Sequence, residues 1–510
     1  MFIRKKKNKS GSISVQVIDT TLRPNKLLKT IGSTKNQNQV NELITKAQDF
    51  ITEFTRQEEL ELSFRGDNIF LNNLKKSLRG INIVGPDLIL GKLYNEIGFN
   101  QIEEDLFKSL VISRIVFPLS KLKTTEYLLR YKNEIIEVDK IYRYLDKLEE
   151  KQKSLVEQIS FNHTINLFNG NLSIVFYDVT TLYFESSDED DLRKTGFSKD
   201  GKHQSPQIIL GLLVSIDGYP LAYEVFEGNK FEGHTMIPVL ESFKKKYSLN
   251  KLIIVADAAM LSQKNVNELI EKGYEFILGG RIKNETDKIK SKILSHRFRD
   301  GQSILIDRDD KTKLIVSYSL SRGKKDSYNR QRGLKKLEKL LDKQRLTKKH
   351  INNRGYNKYL KIEGDVKIVI DYEKFKTDSC WDGLKGYITN SQLSKEEVIE
   401  NYRQLWQIEK AFRISKTDLK VRPIYHRLPK RISAHLTIAF CAYKIYKELE
   451  RQLKIKKSAI SVARAIELMK TIYSFSIKLP ESSKETNIIF ANQQEQLDLL
   501  NIFDLSYLLD

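Results

Sequence analysis

The stretch 172–185, LSIVFYDVTTLYFE, constrains this chain more than any other. Leu172, Ile174, Val175 and Phe176 form a short apolar run of the kind that makes a buried strand, and Asp178 stands at its far end. A carboxylate there is costly to bury unless a cation or a hydrogen-bond donor compensates it. Alone, it reads as an Asp that opens a turn after a strand. The stretch 253–257, IIVAD, repeats the theme and ends in Asp257. Two such residues on neighbouring strands share a cation in a way that two unrelated Asp residues cannot.

Glu409 is the third acidic candidate, in NYRQLWQIEKAFRISK. Ser394 with Glu397 three residues later makes a capping box, so a long helix is expected to begin there. Tyr402, Glu409 and Lys416 are spaced by seven residues, nearly two turns with a drift of only about 20°. All three are therefore expected on one helix face, which Arg413, four beyond Glu409, shares.

The rest of the chain bounds what surrounds this set. At 510 residues it is long enough for about three domains, and 40% hydrophobic content argues against general disorder. A formal charge of +21, spread along the chain, favours a polyanionic partner, nucleic acid first and an acidic membrane second. Cys380 and Cys441 form neither a disulfide framework nor a CxxC metal site. The first nine residues are basic, but 10–19 lacks a sustained apolar segment, so no signal peptide is expected. No run of 18 uncharged apolar residues occurs, so a soluble, cytoplasmic protein without a membrane partner is expected.

Read in order, 1–35 is expected to form a small β-sheet and 36–168 a helical DNA-binding region. Arg114, Lys121, Lys123, Arg130 and Lys132 are interleaved there with apolar positions. Strand and helix patterns over 169–283 suggest a mixed sheet with helices packed on it. An insertion at 284–393 holds strand-like runs and a basic helix, where 12 Lys/Arg face 3 acidic residues over 322–349. The helix with Glu409 occupies 394–426, and 427–510 reads as a helical C-terminal region.

Asp178, Asp257 and Glu409, in this order and on these elements, resemble the DDE catalytic triad of RNase H-like transposases. The helix resembles the Tyr-x2-Arg-x3-Glu-x6-Lys signature of one insertion-sequence group, which includes cut-and-paste transposases of bacterial composite transposons. Tyr402, Glu409 and Lys416 match it, whereas Leu405 stands at the Arg position and leaves Arg413 as the substitute. The resemblance spans about 172–426 and includes the β insertion. It implies a multidomain α+β chain: an RNase H-like mixed sheet flanked by helices, a β-rich insertion, and helical N- and C-terminal regions.

It also implies a chemistry. Asp178, Asp257 and Glu409 would hold two Mg²⁺ (or Mn²⁺) ions, which prefer hard oxygen ligands and share them with substrate phosphate. Tyr402, Arg413 and Lys416 would position DNA phosphates. Lys199, Lys202 and His203, in GFSKDGKHQSPQIILG, resemble a family segment near the active site. Trp381 falls 28 residues before Glu409. In hairpin-forming relatives a tryptophan in that region stacks on a flipped base, while packing in the core is the alternative. Lys420 and Arg422 form a basic exit from the helix that would track phosphates. The implied partners are double-stranded DNA, as terminal inverted repeats and target, and a second copy of the chain in a synaptic complex at the bacterial nucleoid. Two other readings are a nuclease of the same fold without strand transfer and an inactive, repressor-like copy that only binds DNA.

Overall fold

The computed structural model describes residues 1–510 apart from 21–23, 149, 199, 200, 248, 250, 251, 344, 348, 349, 353, 354, 364–366, 480, 481 and 510, and apart from the side chains of 56–67, 150 and 151. The chain divides into two units, 1–81 with 474–490, and 82–473 with 491–510. In the first, Phe2–Lys7, Ile13–Asp19 and Lys26–Thr34 form an antiparallel sheet. Val15 and Val17 pack from it on Val40 and Ala47 of the helix Gln37–Ser77.

A second sheet there joins Glu485–Phe490, Tyr473–Lys478 and Leu78–Ile83. The region 427–510, expected to be helical, thus also contains two strands. YSFSIK alternates with period two and so makes a strand, although a helix, Val462–Met469, precedes it closely.

The second unit is built on one eight-stranded sheet. Its strands are β1 (Ile174–Tyr183), β2 (Gln207–Ser215), β3 (Pro220–Glu227), β4 (Ile253–Ala256), β5 (Glu275–Gly280), β6 (Ser303–Asp307), β7 (Lys313–Tyr318) and β8 (Leu384–Thr389). Helices α1 (Met236–Tyr247), α2 (Gln263–Glu271), α3 (Leu320–Asp342), α4 (Lys395–Arg403), α5 (Trp406–Arg413) and α6 (Pro429–Ile455) surround it. The strand order is β6-β7-β8-β5-β4-β1-β2-β3. Within it β2 runs antiparallel to both of its neighbours, β1 and β3, whereas β4 and β5 follow β1 in parallel. The part β3-β2-β1-β4-β5 has the mixed strand order expected of an RNase H-like core. Every residue of β2 is buried: β1 and β3 flank it, and its largely apolar run is covered on both faces.

The insertion is not a separate β module. Its strands β6, β7 and β8 extend the core sheet beyond β5, through the antiparallel pairing of β8 with β5. LKGYIT escapes a strand reading because a lysine and a glycine break its apolar pattern. Only a small hairpin, Leu360–Glu363 with Lys367–Ile370, stands apart, packed on Leu337 of α3.

Side chains alternate across the strands. Val175, Tyr177, Ile254, Ala256, Phe276 and Leu278 pack on one face with Met236, Val239 and Leu240 of α1 and Val266 and Leu269 of α2. The other face carries α4, over β4, β5 and β8, and α5, over β1 and β2. Helix α6 runs beyond them, and its Lys444 is fully buried. That ammonium donates to the Ser160 carbonyl (3.0 Å) and Thr164 Oγ1 (2.5 Å), and burial lowers its pKa well below the usual lysine range.

Three histidines of this unit are held neutral. Burial, then Lys444, lowers His163 to about 4; burial, then Lys121 and Arg114, lowers His426 to about 4; the same causes, with Arg114 ahead of Lys121, push His435 well below its ordinary value. Each is a base whose folded pKa lies below its unfolded value of 6.5. Above that pH neither state takes up the proton; below it only the unfolded chain does, so stability falls as pH drops from 6.5 towards 4. With three sites the slope reaches up to about 4 kcal/mol per pH unit. Thermal unfolding followed by circular dichroism is expected to show this loss, flattened in His426→Gln; a midpoint constant from pH 6.5 to 4.5 would refute it.

Candidate active site

The parallel register of β1 with β4 ends on the pair Tyr177 and Ala256, so Asp178 and Asp257 are the residues that directly follow the last pair on the two strands. Asp178 is opposite Leu212 across β2. Leu212 lines a small apolar cavity with Phe412 and Tyr443, which places Asp178 on the face covered by α5. Val179 N–H donates to Asp178 Oδ1 at 2.8 Å. Asp257 caps the turn Ala258–Met260, accepting from Ala259 N–H at 2.7 Å. Both carboxylates are half-buried.

The capping box is present: Ser394 Oγ accepts from Glu397 N–H at 3.2 Å, and Glu397 Oε2 accepts from Ser394 N–H at 2.8 Å. The expected single long helix is not. It ends at Arg403, resumes at Trp406 and widens into a π turn over Ile414–Asp418. At the join, Leu405 N–H donates to Tyr402 O, Gln407 N–H to Gln404 O and Ile408 N–H to Leu405 O, three-residue bonds that tighten the turn. Buried Leu405 sits at this join, so the phase carrying Tyr402, Glu409 and Lys416 onto one face of a regular helix is broken twice.

Tyr402, on α4, is the hub. Its hydroxyl lies over Gly279 of β5, where a Cβ would stand 2.5 Å from the phenol oxygen and 2.9 Å from Ala258 N, beside Asp257. Its ring meets Tyr387 edge-on at 5.0 Å, and Lys385 Nζ stands 4.4 Å from its centre. Burial first, then the charges of Asp257 and Glu409, raise the Tyr402 pKa well above the usual phenol range. It is therefore a hydroxyl that stays protonated, next to both acidic elements.

Glu409 is exposed on α5. Lys385, on β8, has its pKa lowered by burial and by Arg322, and Glu409 opposes that shift. Arg322, in the first turn of α3, also acts on Tyr402. Lys385 and Arg322 thus supply positive charge around Tyr402 and Glu409. The sequence reading passed over both, because only the strand order brings β8 and the start of α3 beside α4. Arg413 instead lies near Tyr446 and Asp418.

Of the remaining expected contacts, Lys202 and Arg422 stand at the end of β1. Lys202 Nζ and the Arg422 guanidinium lie 5.5 and 5.9 Å from the Tyr183 ring. Ile424 N–H donates to Tyr183 O at 3.1 Å, which ties Lys420 and Arg422 to this strand end. His203 is exposed and accepts from Ser198 N–H through Nδ1 at 3.4 Å. Lys416 is half-buried in the π turn. Trp381 is packed against the core cluster on the α1–α2 face. Lys199 lies outside the described residues.

Among the described residues no three His, Cys, Asp or Glu side chains converge closely enough to hold an ion by themselves. Asp178 and Asp257 stand on adjacent parallel strands, and Glu409 on the helix that packs over β1. Two adjacent hard-oxygen donors nonetheless fit a divalent ion such as Mg²⁺, which is held by one or two carboxylates and completes its shell with water and phosphate.

A mixed sheet with Asp178 midway along β1, Asp257 directly after its parallel neighbour β4, and Glu409 on the helix that packs over β1 is the arrangement expected of the DDE enzymes that cleave and transfer polynucleotides. The family model described as transposase DDE domain matches residues 169–445, more than half of the chain. The chain belongs to that family: it is a DNA transposase, an enzyme of a divalent-metal-dependent type. Among solved structures it is similar to a piggyBac transposase synaptic complex with hairpin DNA, at 10% identity over 72% of this chain and 69% of that one, with a TM-score of 0.37. It is also similar to the Mos1 mariner paired end complex with Mn, at 12% identity over 31% and 54%, with a TM-score of 0.15. The comparison with curated proteins returned no match. Among the described residues no helix is long and apolar enough to cross a membrane.

Proposed function

We propose that the chain is the transposase of an insertion sequence, and that Asp178, Asp257 and Glu409 are its catalytic carboxylates. The observation that supports this reading is the β1–β4 register, which ends one residue before Asp178 and Asp257, together with the packing of the Glu409 helix over β1. In this reading Asp178 and Asp257 would hold one Mg²⁺ and Asp178 and Glu409 a second, each together with a DNA phosphate. Bound there, such ions activate the attacking oxygen and stabilise the leaving one during in-line displacement at phosphorus.

The chain's own side chains do the positioning. Lys385 and Arg322 neutralise phosphate charge next to Glu409, and the protonated Tyr402 hydroxyl donates towards the same strand. Lys202, His203, Lys416, Lys420 and Arg422 guide the DNA backbone, and Lys199 is a further DNA contact. Trp381 and Arg413 would act from further out. The substrates are terminal inverted repeats and target DNA, and two chains would pair the two ends. The reaction cleaves at the element ends and then directs the freed 3′-OH groups onto target phosphates.

A strand-transfer assay on duplexes carrying the element ends, with Mg²⁺ or Mn²⁺, tests this. Both nicked and joined products are expected. Cleavage without joining would identify a nuclease, and end binding with no chemistry under either metal would identify a repressor-like copy.

A further inference from the structure

A cavity of about 330 Å³ lies between the helices Asp105–Val116 and Lys121–Lys132 and the segment that leaves the catalytic helix. Arg114, Lys121, Arg422, His426 and His435 line it, with Tyr142 and Tyr425 among the apolar walls. Arg114 and Lys121 are only 6% and 5% exposed. Among the described residues neither side chain has an ion pair or a hydrogen bond. Buried charges are ordinarily paired, because desolvating an unpaired one costs several kcal/mol.

The surroundings deepen the imbalance. The carboxylate whose charge reaches His426 is Asp146, already bidentate to Arg431 at 2.7 Å on each oxygen. His435 Nε2–H donates to the Val421 carbonyl at 3.0 Å, and its buried Nδ1 has no partner. The His426 and His435 rings are tilted against each other, their centres 5.5 Å apart. Ser120 caps the helix that Lys121 begins, so the positive end of that helix opens on the same space.

We propose that this cavity is a receptor for a phosphoryl group, held by Arg114 and Lys121, with His435 Nδ1 as a further polar contact and Arg422 at the rim. An arginine and a lysine converging without a protein acid match a multiply charged oxyanion, and a guanidinium suits phosphate in particular. Arg422 also stands beside Tyr183, five residues along β1 from Asp178, a span of about 17 Å at 3.4 Å per residue. B-DNA rises 3.4 Å per nucleotide, so the span equals about five nucleotides from the reacting phosphate. That placement, which rests on the transposase reading, makes a phosphate of the bound DNA one source; a free phosphate or mononucleotide is the other.

The test uses the full-length protein in two arms. In the first, inorganic phosphate is titrated against chloride at equal ionic strength, and thermal unfolding is followed. Wild type is expected to gain about 2–4 °C, as a ligand bound only by the native state requires, and Lys121→Met to gain nothing. Because Lys121→Met removes an unpaired buried charge, it is also expected to melt higher than wild type without phosphate. Equal shifts in both proteins, or none in wild type, would overturn the proposal, and the wild-type titration needs no variant to fold. In the second arm, DNA duplexes carrying single neutral methylphosphonates are scanned for binding. One position whose neutralisation weakens wild type about tenfold, but not Lys121→Met, assigns the phosphate to DNA. A flat scan with an intact phosphate response assigns it to a small molecule. Failure of the first arm with DNA cleavage intact removes the receptor and leaves the transposase reading standing.

Discussion

Asp178→Asn is expected to abolish both cleavage and joining while DNA-end binding persists. Asn is nearly isosteric with Asp, and its carbonyl oxygen can still accept the Val179 N–H that now meets Asp178 Oδ1 at 2.8 Å. Strand β1 therefore keeps its pairing, and the thermal midpoint should stay close to wild type. What disappears is the negative charge beside Asp257. Removing one preorganised electrostatic group commonly costs about 10²–10³ in rate, and a carboxylate shared by metal and substrate should cost at least that. Single-turnover cleavage of an end-labelled duplex measures the loss. Activity within tenfold of wild type would remove Asp178 from the reacting centre. A simultaneous loss of binding and of the thermal transition would mark a folding defect instead.

The acidic residues were legible because each carries a local signature. LSIVFYD and IIVAD are apolar runs too short for helices, each ending in a carboxylate, and the Ser394–Glu397 capping box is realised bond for bond. Their neighbours were not legible, because contact among them depends on strand order. Lys385 and Tyr387 reach Tyr402 only since β8 pairs with β5, and LKGYIT carries no strong strand pattern of its own. The break at Gln404–Leu405 was equally hidden. No glycine or proline marks it, and both residues keep right-handed helical backbone angles, so only the changed hydrogen bonds reveal it. Arg114 and Lys121 could be seen as basic residues among apolar ones, but not that the fold would bury both facing a cavity. Sequence periodicity reports which face is buried; it does not report what that face meets.

Gly279→Ala tests whether the packing under Tyr402 holds the site in register. Gly279 pairs with Tyr387 across β5 and β8 and faces the α4 side. An added methyl would stand 2.5 Å from Tyr402 Oη, 2.9 Å from Ala258 N and 3.1 Å from Ala258 Cβ. The phenol cannot swing away at little cost, since Tyr387 and Lys385 hold its ring and the side chain is buried. The other neighbour is backbone, directly after Asp257, in the turn that the Asp257 carboxylate caps. Overpacking of this kind costs about 1–3 kcal/mol, a modest fall in thermal midpoint. The effect on chemistry should be larger, because a displacement of about 1 Å at a reacting group can cost about 10² in rate. Cleavage about 100-fold slower with DNA binding retained is therefore expected, whereas Gly80→Ala, whose methyl would meet open space, should be silent. Tyr402→Phe combined with Gly279→Ala separates the two contacts by a double-mutant cycle. If the hydroxyl is the main obstacle, the double variant should be no slower than Tyr402→Phe alone. If the Ala258 backbone is, the two losses should add. A wild-type rate in Gly279→Ala would show that Asp257 keeps its place without this packing.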